Sequence, residues 1–371
     1  MTNSSKAVIF DQGEILCGLG TLSETVTDLF ENCCAIVPGP CFGVPVSYAP
    51  FKEETWRSLP ASASRLAVSM DFSLLDKDKT VFLFCSAKGD IGPLETHVAS
   101  KDAPGQFLPV LSSQADFVRQ SCAIPCCRTI VISNACASGA IGVEVARELL
   151  TTGQFENAVL FGFDGISRFV ATGFHALSAL SPQGARPFDE RRNGLTLGDG
   201  SCMAILTYRE PFGDDIVVAG AGSANDANHR TGPSRTGEGL ARAGRAALRD
   251  ARLDPGTIGA VKCHGTGTPY NDAMEAKAIL SLFGEEMPPC FSVKGAIGHT
   301  SGAGSLLELC IAAECLSRRR VPPTYGYATH GVEEPVPLSA SSCGISQQSI
   351  LCLSAGFGGV NAAVILREHA A

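Results

Sequence analysis

The chain has 371 residues, of which 45% are hydrophobic and 40 are glycine, enough to bury a large core as one domain or two fused halves and too apolar for a disordered or fibrous protein. Its net charge of −8 argues against a nucleic-acid partner, because phosphate binding needs a clustered basic surface and no Lys/Arg block exceeds Arg318-Arg319-Arg320. No apolar run approaches the ~18 residues that span a bilayer, and the short apolar run Ala7 to Phe10 is too small for a secretory signal, so a cytoplasmic location and no membrane partner are expected.

Short apolar runs rich in β-branched residues alternate with helical patterns, the arrangement of an α/β architecture. The chain opens on a strand from Ala7, and Glu31 to Pro60 reads as loop. Strands are expected at Thr80 to Cys85 and Thr129 to Ser133, then a helix at Gly139 to Thr152. That helix is apolar at Ile141, Val143, Val145, Leu149 and Leu150 and reads as buried on most of its surface. Strands follow at Ala158 to Phe163, Cys202 to Tyr208 and Ile216 to Gly220. A helix at Gly237 to Ala251 carries Arg242, Arg245, Arg249 and Asp250 on a polar face and reads as a surface element. The remainder alternates strand Ala260 to Cys263, helix Asp272 to Phe283, strand Cys290 to Val293, helix Ala303 to Arg318 and strand Ile350 to Ser354. No linker divides the chain and no fixed-period repeat is visible.

The 16 cysteines are scattered through apolar runs such as Phe82-Leu83-Phe84-Cys85, and read as buried reduced thiols. Cys122, Cys126 and Cys127 come nearest to a metal cluster, but without a second pair or a nearby histidine no metal site is expected.

Three glycine-flanked segments carry the chemistry. Cys136 sits between an apolar strand and the Ser138-Gly139 opening of a helix, where N–H groups and the helix dipole favour thiolate. His264 and His299 each follow an apolar strand and are flanked by Gly and Thr, so that a backbone can pass close to a ligand and the Thr266 and Thr268 hydroxyls can bind a polar arm. Lys294 and Glu308 bracket His299. A buried lysine beside a histidine disfavours imidazolium while a carboxylate offsets the ammonium; the competing reading is a surface ion pair. The loop Ser354 to Asn361 places three glycines around Phe357, which can present an N–H as an oxyanion donor and swing its ring.

Together with Gly162-Phe163-Asp164, Arg186-Pro187-Phe188-Asp189, Gly198-Asp199-Gly200, Asn225-Asp226, Asn271-Asp272-Ala273-Met274-Glu275 and Gly298-His299-Thr300, these segments resemble the elongating β-ketoacyl-[acyl-carrier-protein] synthases, the condensing enzymes of fatty-acid and type II polyketide pathways, from about Val8 to Ile365. The resemblance implies a five-layered αβαβα thiolase fold of two pseudo-symmetric halves, residues 1–208 with the nucleophile and 209–371 with the two histidines. It implies a homodimer, or a heterodimer with a related subunit, in which the strand Ala158 to Phe163 pairs across the interface. Cys136 would accept the acyl group, and His264 and His299 would support decarboxylation of malonyl-carrier, with Lys294 and Glu308 as the supporting ion pair. The N–H groups of Cys136 and Phe357 would form the oxyanion hole, Phe357 would gate the acyl pocket, and Thr266 and Thr268 would contact the phosphopantetheine arm.

The implied reaction is a decarboxylative Claisen condensation that needs no metal or dissociable cofactor, its substrates arriving on the phosphopantetheine of an acyl carrier protein. Arg191 and Arg192 are the candidate carrier-docking residues. The alternative is a chain-length-factor-like partner subunit without catalysis, though such partners usually lack the nucleophile. A degradative thiolase would need a second cysteine in the loop Gly356 to Gly359, which has none. The chain departs from the family in its start, in the stretch from Gly20 to Cys136, in the cap from Ser181 to Arg186 and in the connection from Tyr208 to Ile216, all shortened or altered. Ala355 stands at the substrate pocket where a bulky residue is common.

Overall fold

The computed structural model describes residues 6–100 and 110–369. Among the described residues ten strands make up the main sheet system: β1 (Ala7–Leu16), β2 (Thr80–Cys85), β3 (Arg128–Ile132), β4 (Asn157–Asp164), β5 (Gly200–Arg209), β6 (Ile216–Asn225), β7 (Ala260–Lys262), β8 (Cys290–Phe291), β9 (Ser349–Gly356) and β10 (Val360–Glu368). Their lateral order is β8-β7-β9-β10-β6-β1-β5-β4-β2-β3. Cut between β6 and β1, the order gives two sets, β3-β2-β4-β5-β1 and β8-β7-β9-β10-β6, and the second is the first with every strand advanced by the same step in the chain. The strand senses repeat as well. β2 runs parallel to β3 and β4, with β5 antiparallel to β4 and to β1; β7 runs parallel to β8 and β9, with β10 antiparallel to β9 and to β6. Among the described residues the two sets pair only through Ile9 and Val217. The chain passes from one set to the other between Arg209 and Ile216.

Helices α1 (Leu59–Val68) and α2 (Leu111–Ser121) cover the outer face of the first set, while α5 (Glu238–Ala251) and α6 (Pro269–Phe283) cover that of the second. Between the sets lie α3 (Ser138–Thr151) and α7 (Gly304–Ser317), packed on each other and on strands of both. The result is the five-layered αβαβα arrangement of the thiolase fold. Position explains composition. α7 is sandwiched between layers and buries residues on every side, Glu308 included, whereas α5 keeps arginines on its outer face.

The central helices approach closely at their N-terminal ends. A Cβ on Gly139 would lie 2.3 Å from the Leu306 nitrogen, the Gly139 N–H donates to the Gly302 carbonyl at 3.2 Å, and the Ala140 N–H donates to Ser305 Oγ at 3.0 Å. Only glycine permits this contact. It places the residues just ahead of α3 and just ahead of α7 side by side.

Several elements differ from expectation. β6 continues to Asn225 and β8 ends at Phe291. β10, α1, α2 and a further helix, α4 (Arg168–Ala176), fall outside the expected elements. Serines and a proline obscure the apolar stripe of α1, and the glycines ahead of β10 draw its first residues into the loop reading. The strand expected at the subunit interface is interior instead. β4 pairs with β2 on one side and β5 on the other and is buried at every residue, as its continuous apolar run requires of a central strand, so it cannot pair with a second chain. The free edge of the first set is β3, which among the described residues pairs with β2 alone and leaves Arg128 to Val131 partly exposed. Among the described residues no helix is long and apolar enough to cross a membrane.

Gly139→Ala forces the two central helices apart and is expected to lower the unfolding free energy by about 1–3 kcal/mol. Gly173→Ala, in open space on α4, is expected to raise it by about 0.5–1 kcal/mol. Denaturant titration of both variants checks the pair, and equal shifts would show that the Gly139 contact yields freely.

Candidate active site

β3 ends at Ile132 and the chain turns sharply into α3. Ala135 adopts φ +48°, a left-handed conformation that strains a non-glycine residue. The turn is braced by Ser138 Oγ, which accepts from the Asn134 N–H at 2.8 Å and donates to the Ala135 carbonyl at 2.7 Å. Cys136 thereby projects into a cavity of about 890 Å³ that His264, His299, Thr266, Thr268 and Phe357 also line. Ala355, buried, contributes to its wall.

β9 brings the glycine loop onto the nucleophile. A Cβ on Gly356 would lie 3.3 Å from the Asn134 oxygen and from the Cys136 nitrogen, so the loop passes directly over the turn. The backbone N–H groups of Phe357 and of Cys136 both face the Cys136 sulfur and favour its thiolate. Gly358 and Gly359 have φ of +87° and +77°. Two bonds tie the loop to the end of β6, the Asp226 N–H donating to the Gly359 carbonyl at 2.9 Å and Asn225 Nδ2 to the Gly358 carbonyl at 3.2 Å, and a third ties it to the segment beyond, the Gly358 N–H donating to the Arg230 carbonyl at 2.8 Å. These bonds give the Asn225-Asp226 pair its place. The Phe357 ring stacks on Phe174 of α4, centroids 5.3 Å apart and 28° between planes.

Two buried carboxylates on α6 shape the first histidine loop. Glu275 accepts the N–H groups of His264 and Gly265 at 2.6 and 2.7 Å. Asp272 accepts those of Thr266 and Gly267 at 3.1 and 3.2 Å, and that of Phe188 at 2.7 Å, which explains the Arg186 to Asp189 segment. Thr266 Oγ1 and Thr268 Oγ1 are 3.0 Å apart. The second loop is held at His299 by backbone, the His299 N–H donating to the Thr196 carbonyl at 2.7 Å and the Gly198 N–H to the His299 carbonyl at 3.0 Å, and at its end by the Ala303 N–H, which donates to the Asp164 carboxylate at 3.1 Å. The two imidazoles meet edge to face, centroids 5.4 Å apart at 88°.

Behind the histidines lies a charge cluster that is not a surface ion pair. Glu308 contacts the ammonium groups of both Lys294 and Lys262, and all three side chains are at most 2% exposed. Lys262 is a member of the cluster that sequence reasoning does not single out, because nothing in the strand expected at Ala260 to Cys263 shows that Glu308 lies beside it. Burial alone would raise Glu308, but the two ammonium groups hold it below its ordinary range. Burial, then the Lys294 charge, presses both imidazoles down, His299 to about 3 and His264 well below 6.5. Both rings are therefore neutral at neutral pH and free to donate a hydrogen bond each.

The cysteine departs from expectation. Burial pushes the Cys136 thiol up to about 11, outweighing Lys294 and the Phe357 N–H, which pull it down. The resting group is the thiol rather than the thiolate expected from the helix start, because desolvation of the anion outweighs the Lys294 charge and the two N–H groups that favour it. Arg192, one of the two docking candidates, is committed to the fold: its guanidinium donates to the Gly331 carbonyl and to the Asp189 carbonyl, the latter at 3.1 Å. Arg191 is more exposed and pairs with Asp189 at 3.2 Å. Neither lines the cavity.

Comparison with known proteins places the chain in a family. Residues 127–211 match the family model of the β-ketoacyl synthase N-terminal domain and residues 216–328 that of the C-terminal domain. The sequence is 34% identical over 259 residues to the 3-oxoacyl-[acyl-carrier-protein] synthase 2 of Vibrio harveyi, a match that covers 65% of this chain and 62% of that protein; the chain thus spans about three fifths of such a relative's length. A ketosynthase from Xenorhabdus doucetiae, solved in complex with its chain length factor, superposes with a TM-score of 0.85 at 25% identity over 98% of both chains. A β-ketoacyl synthase from Burkholderia phymatum gives a TM-score of 0.87 at 24% identity over 98% of this chain and all of that one.

The neutral histidines set a pH dependence of stability. Between the ordinary value of 6.5 and the folded value of about 3 for His299, the unfolded chain binds a proton that the folded chain does not. Stability is therefore full above pH 6.5 and falls as pH drops. His299→Gln removes one such proton, so between pH 6 and pH 4 its stability should fall less steeply than that of the wild type, by up to about 1.4 kcal/mol per pH unit. Equal slopes in urea titrations across that range would contradict a buried neutral His299.

Proposed function

The chain belongs to the β-ketoacyl synthase family, and from that premise we propose that it joins an acyl thioester to malonyl-[acyl-carrier-protein] with loss of CO2, in fatty-acid or polyketide-type synthesis. The observation that carries the reading is the convergence of Cys136, two neutral imidazoles and two backbone N–H donors on one cavity, with the cluster of Lys294, Glu308 and Lys262 buried behind them.

In the first half-reaction the Cys136 sulfur attacks the acyl carbonyl. The bond to the carrier arm breaks, a thioester to Cys136 forms, and the proton of the thiol leaves with the carrier's sulfur. The N–H groups of Cys136 and Phe357 hold the oxyanion of the tetrahedral intermediate. In the second, malonyl-carrier replaces the departed arm, its pantetheine running past Thr266 and Thr268. Cleavage of the bond to the carboxylate leaves an enolate whose oxygen accepts hydrogen bonds from His264 and His299. The enolate carbon attacks the acyl carbonyl and expels Cys136 as the thiolate, which takes a proton from water to restore the thiol, giving the β-ketoacyl-carrier. Neutral donors suit this step, since an imidazolium would lose its proton to the enolate and an imidazole does not. The stacked Phe357 and Phe174 rings close the cavity between half-reactions and part to admit the second carrier arm.

Nothing in this scheme calls on a metal or a dissociable cofactor. The partners proposed are an acyl carrier protein and a second chain, a copy or a related subunit, laid along the free edge of β3. The proposed place of action is the cytoplasm. A chain-length-factor role is the weaker reading, because Cys136 stands in a strained turn under two donors where a non-catalytic subunit needs no thiol.

Mass spectrometry of the protein after incubation with acyl-carrier should place the acyl group on Cys136, and Cys136→Ala should lose it. His264→Ala and His299→Ala should still acquire acyl groups but lose malonyl decarboxylation by about 10²-fold or more, the scale of an oxyanion donor removed. Full condensation by either histidine variant would refute the reading.

A further inference from the structure

Lys262 ends β7, two residues before His264, and is 1% exposed. β7 pairs in parallel with β9, with Lys262 opposite Cys352, and the ammonium reaches across to the Leu353 carbonyl at 3.0 Å as well as to Glu308. β9 then runs three residues further to Gly356, where it turns over Cys136. One ammonium thus links the strand that carries a histidine, the helix that carries Glu308 and the strand that carries the Phe357 loop.

Structural need alone does not account for a lysine here. Burying an ammonium is costly, and an apolar side chain of similar volume commonly serves a fold as well or better. Two ammonium groups on one carboxylate also leave a positive excess, which Glu275, the buried acceptor of the His264 and Gly265 N–H groups, offsets only in part, because burial pushes its carboxyl up to about 7. With Lys294 alone, Glu308 would close both oxygens on a single ammonium. With Lys262 present, each lysine takes one oxygen.

We propose that Lys262 is a positioning residue of the condensation: by taking one Glu308 oxygen it leaves Lys294 bound through the other alone, with its charge turned to the His264 and His299 pair, and by bonding Leu353 it sets the histidine strand against the strand of the oxyanion donors. This rests on the function proposed above. The consequence is selective. Decarboxylation builds negative charge next to the histidines and should depend on Lys262 more than acyl uptake by Cys136 does.

The experiment uses full-length wild type, Lys262→Met, Lys294→Met and the double variant, assayed for acyl uptake from acyl-carrier, for decarboxylation of malonyl-carrier and for unfolding midpoint. Lys262→Met should lower kcat for decarboxylation by about 10-fold, with KM changed far less, in line with the loss of an outer-shell partner. Acyl uptake should fall at least threefold less than decarboxylation does. Each single variant leaves Glu308 one ammonium and should fold, whereas the double variant leaves a buried carboxylate unpaired and should lose more in midpoint than the two singles summed. Decarboxylation by Lys262→Met at the wild-type rate, or an equal fall in both half-reactions, would overturn the proposal. A wild-type protein that takes up no acyl group and releases no CO2 would instead refute the proposed function, and the midpoints would then decide the point about Lys262 alone: additive losses would show that the lysines do not share Glu308.

Discussion

Glu308 is buried between two ammonium groups, and the rest of the site is arranged around that shared carboxylate. It sits on α7, the helix enclosed between the two strand sets, so its charge can be answered only by residues the fold delivers to it. Lys262 comes from β7 and Lys294 from the short helical turn after β8. Removing the carboxylate would leave two buried cations, and removing both lysines a buried anion, each among the costlier arrangements available to a protein interior. Burial and, after it, the Lys294 charge keep the two imidazoles neutral, the state in which the proposed reaction needs them to donate to an enolate.

The doubled strand order supplies the second constraint. Because the two sets repeat in order and sense, the turn after β3 and the turn after β8 are equivalent places, one leading to α3 with Cys136 and the other to α7 with His299. Equivalent turns in separate halves would be far apart if the central helices were held at an ordinary distance. The close contact at Gly139 brings the helix N-termini together, and thiol and imidazole then face one cavity.

Much of this was legible in the residue pattern. Strand and helix alternation marks the α/β class, and the three glycine-flanked segments contain the thiol, the imidazoles and Lys294 that the structure gathers. What the pattern concealed was pairing. β4 and a free edge strand look alike as apolar runs, so the interface was placed on a strand that lies in the middle of its sheet. Lys262 within Ala260–Lys262 resembles a surface lysine until Glu308 is found beside it. The Cys136 environment reversed for a similar reason: a helix start is visible in sequence, but the desolvation that raises the thiol is not. Asp272 and Glu275 were part of a recognisable run, yet their work as acceptors for loop N–H groups follows only from the fold.

The cavity of about 890 Å³ has room for an acyl chain, and the small Ala355 together with the stacked pair Phe174 and Phe357 shapes the space the chain would enter. Malonyl-carrier labelled isotopically in its free carboxyl, mixed with acyl-loaded protein, tests the chemistry most directly. The two-histidine scheme predicts one labelled CO2 for every β-ketoacyl product, with the product's new carbon–carbon bond formed at the Cys136-bound acyl group. Product that retains the label, or no product from a protein whose Cys136 is fully acylated, would contradict it.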